Sequence, residues 1–180
     1  MILEPFVPYR TSEFQVKFAT SNWERQEAHA LRRAVFCKEQ HIFEGDDRDE
    51  IDDHATPIVA LSMLGVAADR LVGTVRIHEA EPGVWWGSRL AVHEDFRKIG
   101  ALGATLIRLA VSSANAMGCR TFLANVQVQN GLLFRRMHWD LLDEIEIHGK
   151  PHLKMKADLN FYPPCITPKA GFVALAKKAA

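Results

Sequence analysis

Apolar residues recur along this chain with two different spacings. Apolar residues at alternate positions, or in short runs, predict seven strands, at 14–18, 58–64, 71–78, 89–92, 121–129, 144–147 and 153–159. Apolar residues three and four positions apart predict three helices, at 21–37, 105–117 and 132–142. Strands and helices therefore alternate through the middle of the chain, an order typical of α/β proteins.

A glycine-containing loop joins the fourth predicted strand to the second predicted helix. Its residues 97–104 include Gly100 and Gly103, which lack Cβ atoms and let an anion approach the backbone closely. Free amide groups at the start of a helix lie at the positive end of the helix dipole, where phosphate binds. Arg97 and Lys98 add mobile positive charge. Two interpretations stay open, a phosphate-binding loop and a simple connection.

The strand that follows this helix is apolar on one face and polar on the other. Phe122 and Val126 lie on the apolar face, and Asn125 and Gln127 lie on the polar face. An Asn-Gly pair ends the strand before the last predicted helix. The pattern predicts a strand that is dry on one side and open to polar groups on the other.

These segments together form a pattern that resembles a known family. The resemblance is carried by an apolar strand, an Arg-x-x-Gly loop, an asparagine and the helix after it, at 89–92, 97–100, 130 and 133–139. The pattern is similar to the acetyl-CoA-binding core of the GNAT N-acetyltransferase superfamily, and the order of elements extends the likeness over residues 14–160. In that superfamily the loop amides bind the CoA pyrophosphate. The strand before the loop binds the pantetheine arm, and the next strand diverges to admit it.

The resemblance implies a fold and a domain plan. We expect one α/β (α+β) domain with a central mixed, mostly antiparallel sheet, flanked by helices, with splayed central strands. The plan is an N-terminal arm at 1–13, a GNAT-like acyl-CoA-binding domain at 14–160 and a C-terminal tail at 161–180. The implied CoA-binding residues are Leu90, Ala91, Val92, Arg97, Lys98, Ile99, Gly100, Ala101, Leu102, Gly103, Ala104, Asn130 and Phe134.

The resemblance also implies a reaction. An acetyl group would pass from acetyl-CoA to the amine of a small molecule, by direct attack in a ternary complex and without a metal ion. The ending of the chain, from Gly149 to Pro164, looks like that of a bacterial branch of N-acetyltransferases whose acceptor is unsettled.

Three positions depart from the family pattern. The second small residue of the loop comes one position late, at Gly103 instead of Leu102. The position that often holds a proton-donating tyrosine holds Phe134, which has no proton to donate. The small residue and aromatic that usually end this helix are His138 and Trp139. A catalytically silent GNAT-like module that binds CoA esters or a partner is therefore an alternative.

The first predicted helix carries a second point of resemblance. Residues 32–40 contain an arginine, a Val-Phe pair and a Glu-Gln pair, as many GNAT first helices do. Similar spacing, followed by acidic residues, occurs in acyl-homoserine-lactone synthases, which share the fold but use acyl chains and S-adenosylmethionine. An acyltransferase of that kind is a further alternative.

An acidic run follows this helix. Seven of the ten residues 44–53 are acidic and one is basic. The run is either a solvated loop or an electronegative lip, made of Asp46, Asp47, Asp49 and Asp52, that attracts a cationic amine. A calcium loop is disfavoured, because the central glycine and the spaced terminal glutamate of such loops are missing.

Attack by an amine requires a base. An amine with a pKa near 10.4 must lose a proton at pH 7, which costs roughly 4.6 kcal/mol. His78 and Glu79 end the third predicted strand and point to opposite faces of it. They are the predicted general bases, and His148 and His152 on the last strand pair are further candidates.

Composition and charge narrow the classes of function. With 180 residues, of which 48% are apolar, the chain suits one globular domain. A net charge of zero lacks the attraction that nucleic-acid binding needs. Neither a signal peptide nor an apolar run of the ~18 residues of a membrane span occurs. Three scattered cysteines predict reduced thiols in a cytoplasm and no zinc site.

Motifs of other enzyme classes are missing. The sequence contains neither the Gly-x-Ser-x-Gly of hydrolases nor the Gly-Lys-Ser/Thr of a P-loop, and its glycine spacing disfavours a Rossmann site. We therefore expect a cytoplasmic bacterial enzyme with a small-molecule amine acceptor and without a nucleic-acid or membrane partner. A homodimer is left open.

Overall fold

A computed structural model describes residues 11–99 and 101–176, and in this part of the chain eight strands form one mixed sheet. The strands are β1 (Glu13–Phe18), β2 (Thr56–Leu64), β3 (Ala67–Glu81), β4 (Val84–Val92), β5 (Thr121–Gln127), β6 (Trp139–Ile147), β7 (Lys150–Ala157) and β8 (Phe172–Leu175). Their order is β6-β7-β5-β4-β3-β2-β1-β8. Only the β4–β5 pair is parallel, which confirms a mixed, mostly antiparallel sheet.

Three α-helices lie in the described residues, α1 (Asn22–Arg32), α2 (Leu102–Ala116) and α3 (Gly131–Arg136). A capping box begins α1. The Ser21 hydroxyl accepts the amide of Glu24, and the Glu24 carboxylate accepts the amide of Ser21. A π-helical turn, Arg33–Glu39, continues α1, so this helical segment ends two residues beyond its predicted end.

The two long helices cover opposite faces of the sheet. Residues of α1 pack with Val59 and Leu61 of β2, whereas residues of α2 share a larger core with Ile58 and Ala60 of the same strand. Successive side chains of a strand point to opposite faces. Because both faces are covered, β2 reads as a continuous apolar run and not as an alternation.

One predicted helix differs from the structure. The helix predicted at 132–142 ends at Arg136, and Leu141 and Leu142 belong to the edge strand β6. His138, with φ of 64°, turns the chain out of α3. Both leucines are exposed, because neither face of this edge strand is fully covered by other elements. Their spacing from the leucines of α3 is similar to that of a helix.

The structure adds detail at both ends of the predicted domain. Part of the predicted C-terminal tail is β8, which pairs with β1 at the edge of the sheet. Residue 13 of the predicted N-terminal arm is the first residue of β1, and residues 1–10 lie outside the described part.

The central strands β4 and β5 diverge, as predicted. Val84 to Gly87 pair with Thr121 to Ala124, and the register extends no further, although β4 continues to Val92 and β5 to Gln127. Arg89 has a φ of 57°, which bends β4 at the place where the pairing stops. The result is a V-shaped opening in the middle of the sheet.

Candidate active site

A cavity of about 730 Å³ occupies this opening. Residues of the π-helical turn, of the loop after it and of the β6–β7 hairpin line it. Residues of α2, α3 and β5 line it as well. Small-molecule sites in proteins have volumes of about 300–1,000 Å³, so the cavity is large enough for a substrate.

The structure brings some of the predicted CoA-binding residues to this cavity. Leu90, Asn130 and Phe134 line it. Ala91 points away and packs with the α1 core. Val92 pairs with β3, and its carbonyl oxygen accepts Arg97 Nε at 2.9 Å. Gly100 lies outside the described residues.

The predicted phosphate loop ends at the positive end of α2. Ala101 has a left-handed φ of 48°, and its carbonyl accepts the amide of Thr105. The amides of Leu102, Gly103 and Ala104 precede this first bond of the helix and are therefore available to an anion. A Cβ atom built on Gly103 would meet no described atom within 4 Å. Available amides and open space fit a pyrophosphate.

The positive charges of the loop differ in mobility. Arg97 donates two hydrogen bonds to the Glu39 carboxylate, at 2.6 and 2.7 Å. These hydrogen bonds raise the pKa of Arg97 and lower the pKa of Glu39. Lys98 is exposed and forms no salt bridge with the described residues, whereas Ile99 packs on the core. Lys98 is therefore the mobile charge, and Arg97 is held in place.

The structure separates the two predicted bases. His78 lines the cavity, and its Nδ1 atom is buried without a hydrogen-bond partner among the described residues. Burial lowers the pKa of His78, and the neighbouring Arg76 and His54 lower it further. The Glu79 carboxylate accepts the amide of Gly83 at 2.7 Å in the β3–β4 turn, and Glu79 does not line the cavity. Glu79 is therefore corrected to a turn residue.

Two histidines of the β6–β7 hairpin, His148 and His152, line the cavity. His148 packs edge to face on Phe43, with ring centres 4.9 Å apart. His152 lines the cavity, and its Nδ1 atom lies 2.9 Å from the carbonyl oxygen of Lys150. Lys150 Nζ donates to the carbonyl oxygen of Gln40 at 2.9 Å. These contacts fasten the hairpin to the loop after the π-helical turn.

The acidic run is not a free lip, because arginines bind three of its four predicted members. We call the six residues the arginine–aspartate network, and they are Arg32, Arg76, Arg89, Asp47, Asp49 and Asp52. Three positive and three negative charges cancel in it. Sequence reasoning does not single out Arg76 or Arg89, although a charge on an otherwise apolar strand is a signal that could have found them.

Asp47 is the most deeply buried member of the network. Its side chain is 0% exposed and accepts Arg32 Nε at 2.7 Å and Arg89 Nε at 2.9 Å. The Arg89 guanidinium also lies 4.5 Å from the centre of the Phe43 ring. Asp47 thus fixes the acidic run against α1 and β4.

Asp52 and Asp49 join β3 to the same network. Asp52 accepts two hydrogen bonds from Arg32, at 2.6 and 3.0 Å, and lies 2.8 Å from Arg76. Burial by itself would raise the pKa of Asp52, but the hydrogen bonds from Arg32 and Arg76 lower it far below its usual value. Asp49 accepts two bonds from Arg76, at 2.6 and 2.9 Å.

Little of the predicted negative potential therefore reaches the cavity. Of the four predicted lip residues, Asp49 alone lines it, and Arg76 and Arg89 neutralise that carboxylate. Asp46 accepts the amides of Asp47 and Arg48 and shapes the turn. The network neutralises its own carboxylates, and Arg48, which lies outside it, also lines the cavity, so this wall is not the predicted electronegative lip.

The described residues contain no group of three or more His, Cys, Asp or Glu side chains arranged to hold a metal ion. Within the same part of the chain, none of the helices has the length and apolar character that crossing a membrane requires. Cys37, Cys119 and Cys165 are free thiols. Burial raises the pKa of Cys119 to about 11.

Comparison with known proteins decides the family. The family model of the Acetyltransferase (GNAT) family matches residues 15–137. This chain belongs to the GNAT family. Protein YyaT of Bacillus subtilis (strain 168), itself uncharacterized, is 24% identical to this GNAT protein over 152 residues, which cover 81% of this chain and 96% of YyaT.

Solved structures show the same fold at low sequence identity. A Lactobacillus plantarum protein with the provisional name N-acetyltransferase superposes on this GNAT chain with a TM-score of 0.71 at 21% identity, over 81% of this chain and 98% of that one. BjaI, a CoA-dependent acyl-homoserine lactone synthase solved with SAM and isopentyl-CoA, gives a TM-score of 0.68 at 16% identity, over 88% and 94%. These likenesses establish the fold.

Proposed function

We propose that this protein moves the acyl group of a CoA thioester, in the simplest case acetyl-CoA, to the amine of a small molecule. One observation carries the proposal, namely the cavity that fills the opening between β4 and β5. Membership of the GNAT family supports a transferase, and the absence of a free carboxylate cluster on the described wall of the cavity favours an acceptor that needs no strong electrostatic attraction.

The donor would lie along the opening. The amides of Leu102, Gly103 and Ala104, with Lys98, would bind the pyrophosphate at the positive end of α2. The backbone around Leu90, which borders the cavity and has no strand partner on the β5 side, would bind the pantetheine arm. This leaves the thioester near Asn130 and Phe134.

The chemistry is an acyl transfer. The acceptor enters the site as the neutral amine, after its ammonium form has given one proton to solvent. Its nitrogen lone pair attacks the thioester carbonyl carbon, and the nitrogen gives a second proton to His78. The carbon–sulfur bond then breaks, and CoA leaves as a thiolate. Phe134 supplies no proton to this thiolate, but a thiol with a pKa near 8.5 leaves without an acid. Burial keeps His78 neutral and ready to accept the proton.

Gly103 offers a direct test of donor binding. Gly103→Asp should weaken CoA binding at least tenfold, because its carboxylate would stand where the pyrophosphate binds. The open space at Gly103 accommodates an aspartate side chain, and an acidic residue in the first turn stabilises a helix, so the variant should keep the fold. Isothermal titration with CoA measures the affinity.

Gly103→Asn is the matched control, because it has nearly the same shape without the charge. Its CoA affinity should stay close to that of the wild type. A hundredfold excess of CoA over Kd should stabilise the wild type by about 2.7 kcal/mol. Equal affinities of the Asp and Asn variants would place the pyrophosphate elsewhere.

A silent CoA-ester-binding module is the second candidate, and Phe134 favours it. Phe134 borders the cavity, and a phenyl ring has no proton to give to a leaving thiolate. Acetyl-CoA consumption with a panel of small amines separates the two functions. Turnover with any amine supports the transferase, whereas tight CoA binding without turnover across the panel supports the module.

A further inference from the structure

Ser88 lies where the two central strands separate. Gly87 of β4 and Ala124 of β5 form the last residue pair between these strands, and Ser88 follows Gly87 directly. The serine is half-buried, and it lines the cavity. Its hydroxyl therefore borders the opening at the first residue of β4 that has no partner on β5.

The hydroxyl of Ser88 accepts one hydrogen bond and has its own hydrogen to donate. Arg76 Nε donates to Ser88 Oγ at 2.9 Å. A guanidinium group has only donors, so the serine oxygen is the acceptor of this bond. Among the described residues no group accepts the hydroxyl hydrogen. That hydrogen is therefore available to a ligand in the cavity.

Arg76 holds this hydroxyl in a fixed position. The arginine side chain is 3% exposed. Its terminal nitrogens donate to Asp49 at 2.6 and 2.9 Å and lie 2.8 Å from Asp52. Hydrogen bonds from a charged donor are stronger than neutral ones, and a hydroxyl that accepts such a bond becomes a better donor. Ser88 is therefore an oriented and polarised hydrogen-bond donor.

Ser88 shares one face of the sheet with the proposed base, His78. Arg76 pairs with Ser88, and His78 pairs with Trp86, in one unbroken stretch of antiparallel register. Paired residues point to the same face, as do residues two positions apart, so His78 and Ser88 are diagonal neighbours, roughly 7–8 Å apart. This spacing leaves room for one reacting carbonyl group, which an amine would attack from the side of His78 while its oxygen contacts Ser88.

The donor proposed above would bring its thioester to this serine. The loop 97–104 follows the end of β4, and the pantetheine arm would run from the loop back along this strand, past Leu90. Ser88 is reached two residues beyond Leu90 in this direction. The carbonyl group at the end of the pantetheine arm would therefore lie beside the hydroxyl.

We propose that the Ser88 hydroxyl binds the carbonyl oxygen of the thioester and stabilises its negative charge during acyl transfer. The inference rests on the proposed function, because it needs a CoA thioester in the opening. When the amine attacks, the carbon–nitrogen bond forms and the electrons of the carbonyl double bond move to the oxygen. They return when the carbon–sulfur bond breaks, and Ser88 keeps its proton throughout. Arg76 acts through Ser88 as a positioning residue.

Two ligands that differ in the carbonyl group provide the first test. Isothermal titration of Ser88→Ala should show an affinity for acetyl-CoA about fivefold lower than that of the wild type, whereas the affinity for CoA stays unchanged. Ser88→Thr retains a hydroxyl and should bind both ligands as the wild type does. If CoA binds but Ser88→Ala lowers neither affinity, the Ser88 inference is wrong and the proposed function stands. If CoA does not bind to the wild type, both are wrong.

Infrared spectroscopy of bound acetyl-CoA, isotope-labelled at the carbonyl carbon, provides the second test. A hydrogen bond weakens a carbonyl bond and lowers its stretching frequency, so the band should lie higher in Ser88→Ala than in the wild type and in Ser88→Thr. Ser88→Asp offers Arg76 an acceptor but has no hydrogen to donate. It should also shift the band upward, and it remains informative if Ser88→Ala does not fold. A serine with a purely structural role would leave the band unchanged, and that result would overturn the inference.

Turnover measures the catalytic effect. With an amine from the panel described above, kcat of Ser88→Ala should fall about 10²–10³-fold, the loss typical of removing one donor to a developing oxyanion. The KM of the amine should stay close to that of the wild type, because the amine approaches from the side of His78. Ser88→Ala that turns over at the wild-type rate would contradict the proposal.

Discussion

Replacing Asp47 by asparagine should lower the free energy of unfolding by about 3 kcal/mol. The Asp47 carboxylate is wholly buried and binds Arg32 and Arg89. Asparagine keeps the shape but removes the charge, which leaves two largely buried guanidinium groups without their shared counter-ion. Removing one partner of a buried ion pair costs far more stability than an exposed ion pair contributes.

Asp53→Asn is the matched control for this prediction. Asp53 belongs to the same acidic run, but it is exposed and forms no salt bridge among the described residues. Its replacement should change the stability by less than about 0.5 kcal/mol. Urea unfolding gives both values, and a midpoint of thermal unfolding about 10 °C lower is expected for Asp47→Asn. Equal stability of the two variants would mean that the network carries no net stabilisation.

The network also explains how the acidic run reaches the cavity. Asp47 and Asp52 hold the run on α1, and Asp49 connects it to Arg76 of β3. Loss of Asp47 should therefore disturb the wall that contains Arg48 and Asp49, which border the cavity. In this way the arginine–aspartate network both stabilises the fold and positions one wall of the cavity.

Local patterns predicted the elements that depend on neighbours in sequence. The capping box at Ser21 and Glu24 and the alternation in β5 are satisfied within a few residues, so the sequence alone defines them. The loop before α2 is also made of consecutive residues, so the sequence alone locates it. The family resemblance then added the divergence of β4 and β5, which no local pattern contains.

Long-range pairing explains the errors. Asp47 meets Arg89 across 42 residues of sequence, and nothing near Asp47 shows that its charge is cancelled. The same holds for Glu79, whose role depends on the turn that brings Gly83 to it. The helix predicted at 132–142 includes the beginning of β6, because Leu141 and Leu142 lie on an edge strand, where the alternation of buried and exposed residues disappears.

His78→Gln should lower kcat/KM for the acceptor by about 10²–10⁴-fold at pH 7. His78 borders the cavity, and its Nδ1 atom is buried without a hydrogen-bond partner among the described residues. Glutamine retains the size and a hydrogen-bonding group but accepts no proton from the amine. CoA affinity should stay unchanged, because His78 lies on β3, whereas the proposed donor contacts lie on β4 and at the start of α2.

The pH profile distinguishes a base from a merely structural histidine. Burial lowers the pKa of His78 below its usual value of about 6.5. The neutral form therefore predominates at pH 7, and activity should fall as the pH drops through this lowered pKa. The His78→Gln variant should lose that acidic limb, whereas the control His148→Gln, at another wall of the same cavity, should retain it. An acidic limb that persists in His78→Gln would assign the base to another group.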